Sequence, residues 1–297
     1  MKFSVKLFFL IVIISISVLM ISCNSDDLTS TINLNSPIQN GAILVDHNFA
    51  SLSTIQTNEI TKAKEQLHIA YGHTSHGSQL ITGMQGLINF KGSQYSFNNG
   101  GVDGALDLRD RPFSGAYDLG NPNRTEWEVS TRSYLQNHSD VNVIIWSWCG
   151  QVSSASEEDI NIYLNLMNGL EVDYPNVKFV YMTGHLDGSG ESGNLHQRNE
   201  QIREYCRVNK KILYDFADIE SYDPDGQANY LLLNANDNCD YDSGNTGSRD
   251  ANWATAWQNS HTEGVDWYNC SAAHSQALNG NRKAYAAWNL WTSLVDK

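Results

Sequence analysis

The chain has 297 residues, of which 41% are hydrophobic, 10% aromatic and 18% charged. That balance excludes collagen, a coiled coil, low-complexity disorder and a polytopic membrane protein, and the length suits one large α/β domain. With 19 basic residues against 33 acidic ones the formal charge is −14. Such a surface repels phosphate backbones, so nucleic acid is not expected as a partner.

The chain opens with Lys2 and Lys6 ahead of an apolar run from Leu7 to Ile21, broken only by Ser15 and Ser17. This is the positive start and apolar body of a secretory signal, and about 15 residues is short for a spanning helix. The run ends in Ser22-Cys23, then Asn24-Ser25-Asp26-Asp27. A small residue before cysteine resembles a bacterial lipobox, and the Ser-Asp-Asp resembles the surface-export signal of lipoproteins from the Bacteroidetes group. The expectation is a signal peptide over 1–22, lipidation (palmitate-type acyl chains) at Cys23, and an outer-membrane or cell-surface location through that anchor. The alternative is an ordinary cleaved signal in which the cysteine falls by chance. Residues 23–40, rich in Ser, Thr and Asn, read as a flexible tether.

Cys149, Cys206, Cys239 and Cys270 remain, an even number for an oxidising compartment. They allow three pairings, among which Cys239–Cys270 brackets an irregular stretch and is favoured. No spacing is CxxC, which excludes a zinc ribbon.

Four apolar runs have strand length and β-branched or aromatic content: Leu67–Tyr71, Val141–Trp146, Val177–Met182 and Ile212–Phe216. Helical patterns separate them. A capping-box start at Ser156 precedes Ile160, Tyr163, Leu164, Met167 and Leu170, and Asn199–Asn209 aligns Ile202, Tyr205 and Cys206. A last helix is expected over Gln276–Leu294. Strand–helix alternation predicts a mostly parallel sheet covered by helices, with an irregular Asp/Trp-rich insertion at about 222–268 in a domain running from 41 to 297.

Each strand is followed by a polar, Gly-punctuated turn: His73-Thr-Ser-His-Gly77, Ser147-Trp-Cys-Gly-Gln151, Thr183-Gly-His-Leu-Asp-Gly188 and Ala217-Asp-Ile-Glu220. Ligands of open α/β sheets bind at that edge, so the pattern reads as an enzyme. Ser75, in a strand-to-helix turn, is the nucleophile candidate, with the cap of the next helix as its plainer role. His274, just ahead of the last helix, is the base candidate, with a structural role as the alternative.

The order of these blocks resembles the SGNH (GDSL-type) hydrolase superfamily over roughly residues 65–297. The resemblance implies a three-layer α/β/α sandwich with a flavodoxin-like sheet and ester hydrolysis through an acyl-serine. Many secreted members deacetylate polysaccharides. The family's Gly-Asp-Ser is His73-Thr74-Ser75 here, so only the serine carries over. The oxyanion glycine falls at Gly100 or Gly101, and Trp148-Cys-Gly-Gln151 stands where the Gly-x-Asn-Asp block is expected, leaving Gln151 as its amide donor. Ser271 replaces the usual acid before the histidine, so Asp266 or Asp218 is the candidate orienting acid.

The resulting expectation is a carbohydrate esterase: Ser75 attacks an O-acetyl or similar group, His274 is the base, and His73, His76, His185, Trp253 and Trp257 contact substrate. No cofactor is required for that chemistry. Two metal alternatives stay open: Zn²⁺ on His73, His76, His185 and His274 with Asp187 or Asp218, and Ca²⁺ in the oxygen-rich loop 236–244. Two other functions also stay open. One is glycosidic cleavage through Asp103, Asp107, His185 or Asp218; the other is a non-catalytic glycan-binding lipoprotein.

Overall fold

The computed structural model describes residues 36–295. The expected signal peptide, Cys23 and the tether up to residue 35 lie outside the described residues. The chain enters through β1 (Ile38–Gln39) and β2 (Ala42–Val45), an antiparallel pair, so the last residues assigned to the tether belong to the sheet edge. Then follow α1 (Thr57–Gln66), β3 (His68–Gly72), α2 (Ser78–Lys91), β4 (Phe97–Asn98) and β5 (Leu106–Asp110). The second half of the sheet comes from α3 (Glu126–Asn137), β6 (Val143–Trp146), α4 (Glu157–Asp173), β7 (Lys178–Met182), α5 (Asn194–Val208) and β8 (Ile212–Tyr214). A short α6 (Phe216–Ile219) leads into the irregular segment, which holds the two-residue strands β9 (Asp240–Tyr241) and β10 (Ala251–Asn252) and then α7 (Trp253–Ser260). The chain closes with α8 (Ala277–Ser293).

The eight strands of the main sheet lie in the order β1-β2-β8-β7-β6-β3-β5-β4, and every pair except β1–β2 is parallel. The fold is therefore α/β with a mostly parallel sheet flanked by helices. Alternation along each strand divides the core. Ile69, Tyr71, Val143 and Ile145 join α1, α2 and α8 in one apolar cluster, whereas Ala70, Ile144 and Trp146 join α3, α4 and α5 in another. Strands buried on both faces read as continuous apolar runs, which is why the four central ones were visible in the sequence.

Two features of this core aim the loops. From β3 the chain lays β5 on one side and β6 on the other, so the strand order reverses between β3 and β6. Loops leaving the carboxyl ends of those two strands diverge and open a crevice. Helix α8 carries buried polar residues among its apolar ones. Lys283 is fully buried and pairs with buried Glu220 at 2.6 Å, while its ammonium also donates to Gln79 of α2. Gly83 lets α2 and α8 pack closely, since a Cβ there would stand 2.1 Å from the Gly280 carbonyl oxygen.

The expected disulfides are not formed: Cys149, Cys206, Cys239 and Cys270 are all free thiols. Cys239 packs with Trp253 and Leu278, its sulfur 3.5 Å from Ser275 Oγ. Cys270 instead lies against the cluster of α2 and α8, its sulfur facing the Ala277 carbonyl. Cys206 is buried on α5.

Candidate active site

The crevice between the ends of β3 and β6 is where the polar loops meet. The loop after β3 is drawn tight at Gly77. A Cβ there would lie 2.3 Å from Ser147 Oγ and 2.6 Å from Tyr71 Oη, so only glycine lets the two loops approach. Asp118 ties them further: its carboxylate accepts from Thr74 Oγ1 at 2.6 Å and from Gln151 Nε2 at 3.0 Å. Trp148 anchors the second loop by donating to the Met182 carbonyl at 3.1 Å.

This scaffold brings His76 Nδ1 to 3.2 Å from Cys149 Sγ, and Ser75 Oγ to 3.6 Å from the same sulfur. The other ring nitrogen, His76 Nε2, is 3.0 Å from Asp237 Oδ2. Asp237 comes from the irregular segment, held against the loop after β7 by the bridge between Asp187 and Asn236. Thiol, imidazole and carboxylate thus stand in line, the arrangement in which a carboxylate orients a base that activates a nucleophile.

The electrostatics agree with the geometry. The hydrogen bond from His76, joined by one from Ser75, outweighs burial and holds the Cys149 thiol down at about 6. Burial works against charge on His76, but its bonds to Asp237 and Cys149 prevail and lift it to about 9. Burial likewise works to raise Asp237, and the His76 contact outweighs it and keeps the carboxylate ionised. Between those values the pair is a thiolate beside an imidazolium.

Two more histidines line the same place. His185 is buried and stacks on His76, with centroids 3.7 Å apart and planes 2° from parallel. Its Nδ1 donates to the Leu186 carbonyl at 2.8 Å, and its Nε2 is buried without a partner. Burial lowers its pKa, so the ring is neutral. His274 is exposed, holds a left-handed backbone at φ +62°, and stacks on His76 at 4.6 Å. Its loop is pinned where Gln79 donates to the Ala273 carbonyl at 2.5 Å.

Ligand atoms of His76, His185 and Asp237 lie within 4.8 Å of one another, so two of the expected histidines share metal-site spacing, but with a carboxylate other than the expected Asp187 or Asp218. Nitrogen lone pairs lie in the ring planes, however, and these rings are parallel. Both nitrogens of His76 are also already engaged, by Cys149 and by Asp237. The residues as arranged do not converge on one ion. His73 is engaged elsewhere, with Asp110 at 2.6 Å; Asp187 turns back on Ser189, and Asp218 binds His47 at 2.5 Å.

Several sequence expectations are redirected. Among the described residues no hydrogen bond joins Ser75 to His274, and Ser75 does not cap α2. Gly100 donates its N–H to Asp107 at 2.8 Å, beside His68 at the start of β3, so Gly100 and Gly101 sit at the opposite end of the strands. Asp107 belongs to that end too, paired with Arg109, and Asp103 is on its exposed loop. Gln151 donates to Asp118 and accepts from the Cys149 N–H at 2.9 Å, so its side chain braces the loop. Asp266 closes its own turn on Thr262, and Asp218 lies with His47; neither reaches His274. Trp253 is buried against Tyr230, and one face of half-buried Trp257 is covered by His261 at 3.6 Å. In loop 236–244 the carboxylates diverge: Asp237 to His76, Asp240 to Asn252, and Asp242 to the Thr246 and Gly247 amides. That scatter does not fit a Ca²⁺ loop.

Sequence reasoning missed Cys149 and Asp237. A lone cysteine followed by glycine at the end of a central strand was the available signal for the first. Asp237 had none, since its approach to His76 spans 161 positions. No protein-family model matches the chain, and no curated protein sequence matches it.

Proposed function

We propose that the protein is a thiol-dependent acyl hydrolase, removing acetyl or similar acyl groups from a carbohydrate ester at the cell surface. The reading rests on one observation, the alignment of Cys149, His76 and Asp237 at 3.2 and 3.0 Å. It keeps the SGNH-like three-layer α/β/α architecture, for which the sheet order supplies support: β5-β3-β6-β7-β8 follows the flavodoxin-like 2-1-3-4-5 pattern, with the crevice at its switch point. It moves the nucleophile from Ser75 to Cys149, because the serine hydroxyl faces the sulfur and has no base. The lipid at Cys23 would tether the enzyme to the outer membrane near its glycan.

In this mechanism the Cys149 thiolate attacks the ester carbonyl, and the carbonyl π electrons move onto oxygen. As that tetrahedral intermediate collapses, the His76 imidazolium gives its Nδ1 proton to the departing sugar oxygen. A thioester on Cys149 remains. Water then attacks it while His76 takes the water proton, and the thiolate leaves with the pair restored. Asp237 holds the ring in position through both steps, and Ser75 donates to the sulfur whenever it is anionic.

The test is acetate release from acetylated polysaccharides and an aryl acetate by protein starting after Cys23. Loss of release in Cys149→Ala and His76→Ala, partial retention in Ser75→Ala and indifference to chelator are the expected results. Full activity in Cys149→Ala would overturn the thiol reading. Release abolished by chelator and restored by Zn²⁺ would equally overturn it.

A further inference from the structure

A cavity of about 360 Å³ opens beside the proposed site and plays no part in the mechanism above. It begins at residues next in sequence to the site. Trp146 is three positions from Cys149 and His73 two from Ser75, so chain reach alone keeps the Trp146 Cα within roughly 11 Å of that of Cys149. Its volume is at the small end of ligand pockets, of the order of 300–1,000 Å³.

The walls differ in chemistry. Phe113 packs on Trp146 with centroids 4.2 Å apart, and Tyr117 stands at the rim with two thirds of its surface exposed. Facing these rings is a charged row. Both ring nitrogens of His73 are engaged, one with the Thr74 carbonyl at 2.9 Å and the other with Asp110 Oδ1 at 2.6 Å. Arg111 stands near the other Asp110 oxygen, at a loose 3.6 Å, with its side chain 66% exposed. Arg111 therefore presents a loosely paired, exposed guanidinium at this wall, on a chain whose net charge is −14. Arg111 also holds a left-handed backbone at φ +51°, fixed by its N–H donating to the Tyr71 carbonyl at 2.8 Å. Strain of that kind in a side-chain-bearing residue concentrates at ligand sites.

We propose that this cavity is a subsite for an acidic sugar ring, a uronic acid, with the Arg111 guanidinium holding its carboxylate and the aromatic wall taking its apolar face. The proposal deepens the hydrolase reading by naming the glycan as an acylated polyuronate, and for that it rests on that reading. A guanidinium fork suits a carboxylate, and a flat ring suits the C–H face of a pyranose. Neutral sugars would lack the charged contact.

The test measures binding directly, by calorimetry on the Cys149→Ala protein, so that it does not depend on catalysis. The probes are methyl galacturonate glycoside, methyl glucuronate glycoside, the neutral methyl glucoside, and acetate alone. A uronate should bind at least tenfold more tightly than the neutral sugar. Arg111→Gln should remove that advantage, Arg111→Lys should keep part of it, and Tyr117→Ala should weaken binding several-fold. Equal binding of neutral and acidic sugars, undiminished binding in Arg111→Gln, or no binding of either sugar would overturn the proposal. Acetate binding as tightly as the uronate would assign the cavity to a free acyl anion and equally overturn it. Uronate binding with no ester hydrolysis by the wild-type protein would leave the subsite standing and sink the hydrolase reading alone.

Discussion

The imidazole of His185 lies flat on that of His76, 3.7 Å away and within 2° of parallel. The two rings are chemically unlike. His76 is wedged between a thiol and a carboxylate, which together favour its charged form. His185 has its Nδ1 proton committed to a backbone carbonyl and is kept neutral by burial. The stack therefore places a neutral, electron-rich face against a cation without adding a second charge. Leu186, the next residue, donates its N–H to Glu220, and Glu220 is the partner of buried Lys283. The position of the second ring is thus set from α8, across the width of the core.

The ion pair predicts a bell-shaped pH dependence. Cys149 loses its proton at about 6 and His76 at about 9, so the reactive thiolate–imidazolium form fills that window. Measured kcat/KM on an aryl acetate should rise through about 6 and fall through about 9. Alkylation by iodoacetamide should show the lower step, and His76→Ala should move that step toward the ordinary thiol value of 9.0. An alkylation midpoint of the native protein already near that value would contradict the pairing.

Asp237→Asn isolates the orienting carboxylate. The amide is the same size but removes the charge that raises His76, so the upper limb of the pH profile should move toward acid. Turnover should fall by about 10²–10⁴-fold, as when a triad loses its acid. The melting temperature should barely change, because Asp237 sits on an irregular loop at the rim of the fold. A variant with native turnover and an unmoved upper limb would show that His76 is oriented without Asp237.

The fold was far more legible than the site, and the reason is physical. Central strands buried on both faces declare themselves as runs such as Val143–Trp146, and α4 announces itself by Ser156, whose hydroxyl accepts from Asp159 N at 3.1 Å. The outer strands of the sheet, β1 and β2 on one side and β5 and β4 on the other, are short, or mix charge into the run as Asp107 and Arg109 do, and periodicity passes over them. Within the site, His76 and Cys149 were both visible as turn residues after strands. Their partnership was not, because the expectation of disulfides claimed the cysteine and the serine resemblance claimed the role of nucleophile. Asp237 is recruited through tertiary contact from a segment without regular pattern, and His274 is near the site without touching Ser75. Strand ends can be read from sequence; which side chains meet above them is decided by loops.

His185→Gln separates the two halves of the reaction. The Nε2 of His185 is a buried acceptor without a partner, on the ring stacked against His76, and the thiolate does not need it. Iodoacetamide alkylation and the first burst of product should therefore stay within about twofold of wild type. Steady-state turnover should fall by about 10²-fold, the low end of the range for a lost proton-handling group. Acyl-enzyme should accumulate and be visible by intact mass. A variant that loses burst and turnover together would place His185 in the acylation step or in folding, and its melting curve would separate those two.

Lys283→Met tests how much the buried ion pair supports both stability and the loops. The ammonium is fully buried, paired with Glu220 at 2.6 Å, and lies 3.6 Å from the centre of the Phe216 ring. Removing it leaves Glu220 charged inside the core, a change that costs about 3–5 kcal/mol. At about 2–4 °C per kcal/mol for a domain this large, the melting temperature should drop by roughly 6–20 °C. Glu220→Gln in the same chain removes the stranded charge while keeping an oxygen for the Leu186 N–H, and should restore most of that loss. The double variant also reports on the stack. If Glu220 holds Leu186 chiefly as a hydrogen-bond acceptor, turnover recovers with stability. If its charge is what fixes the loop, stability returns while turnover stays low, because His185 would no longer be held flat against His76.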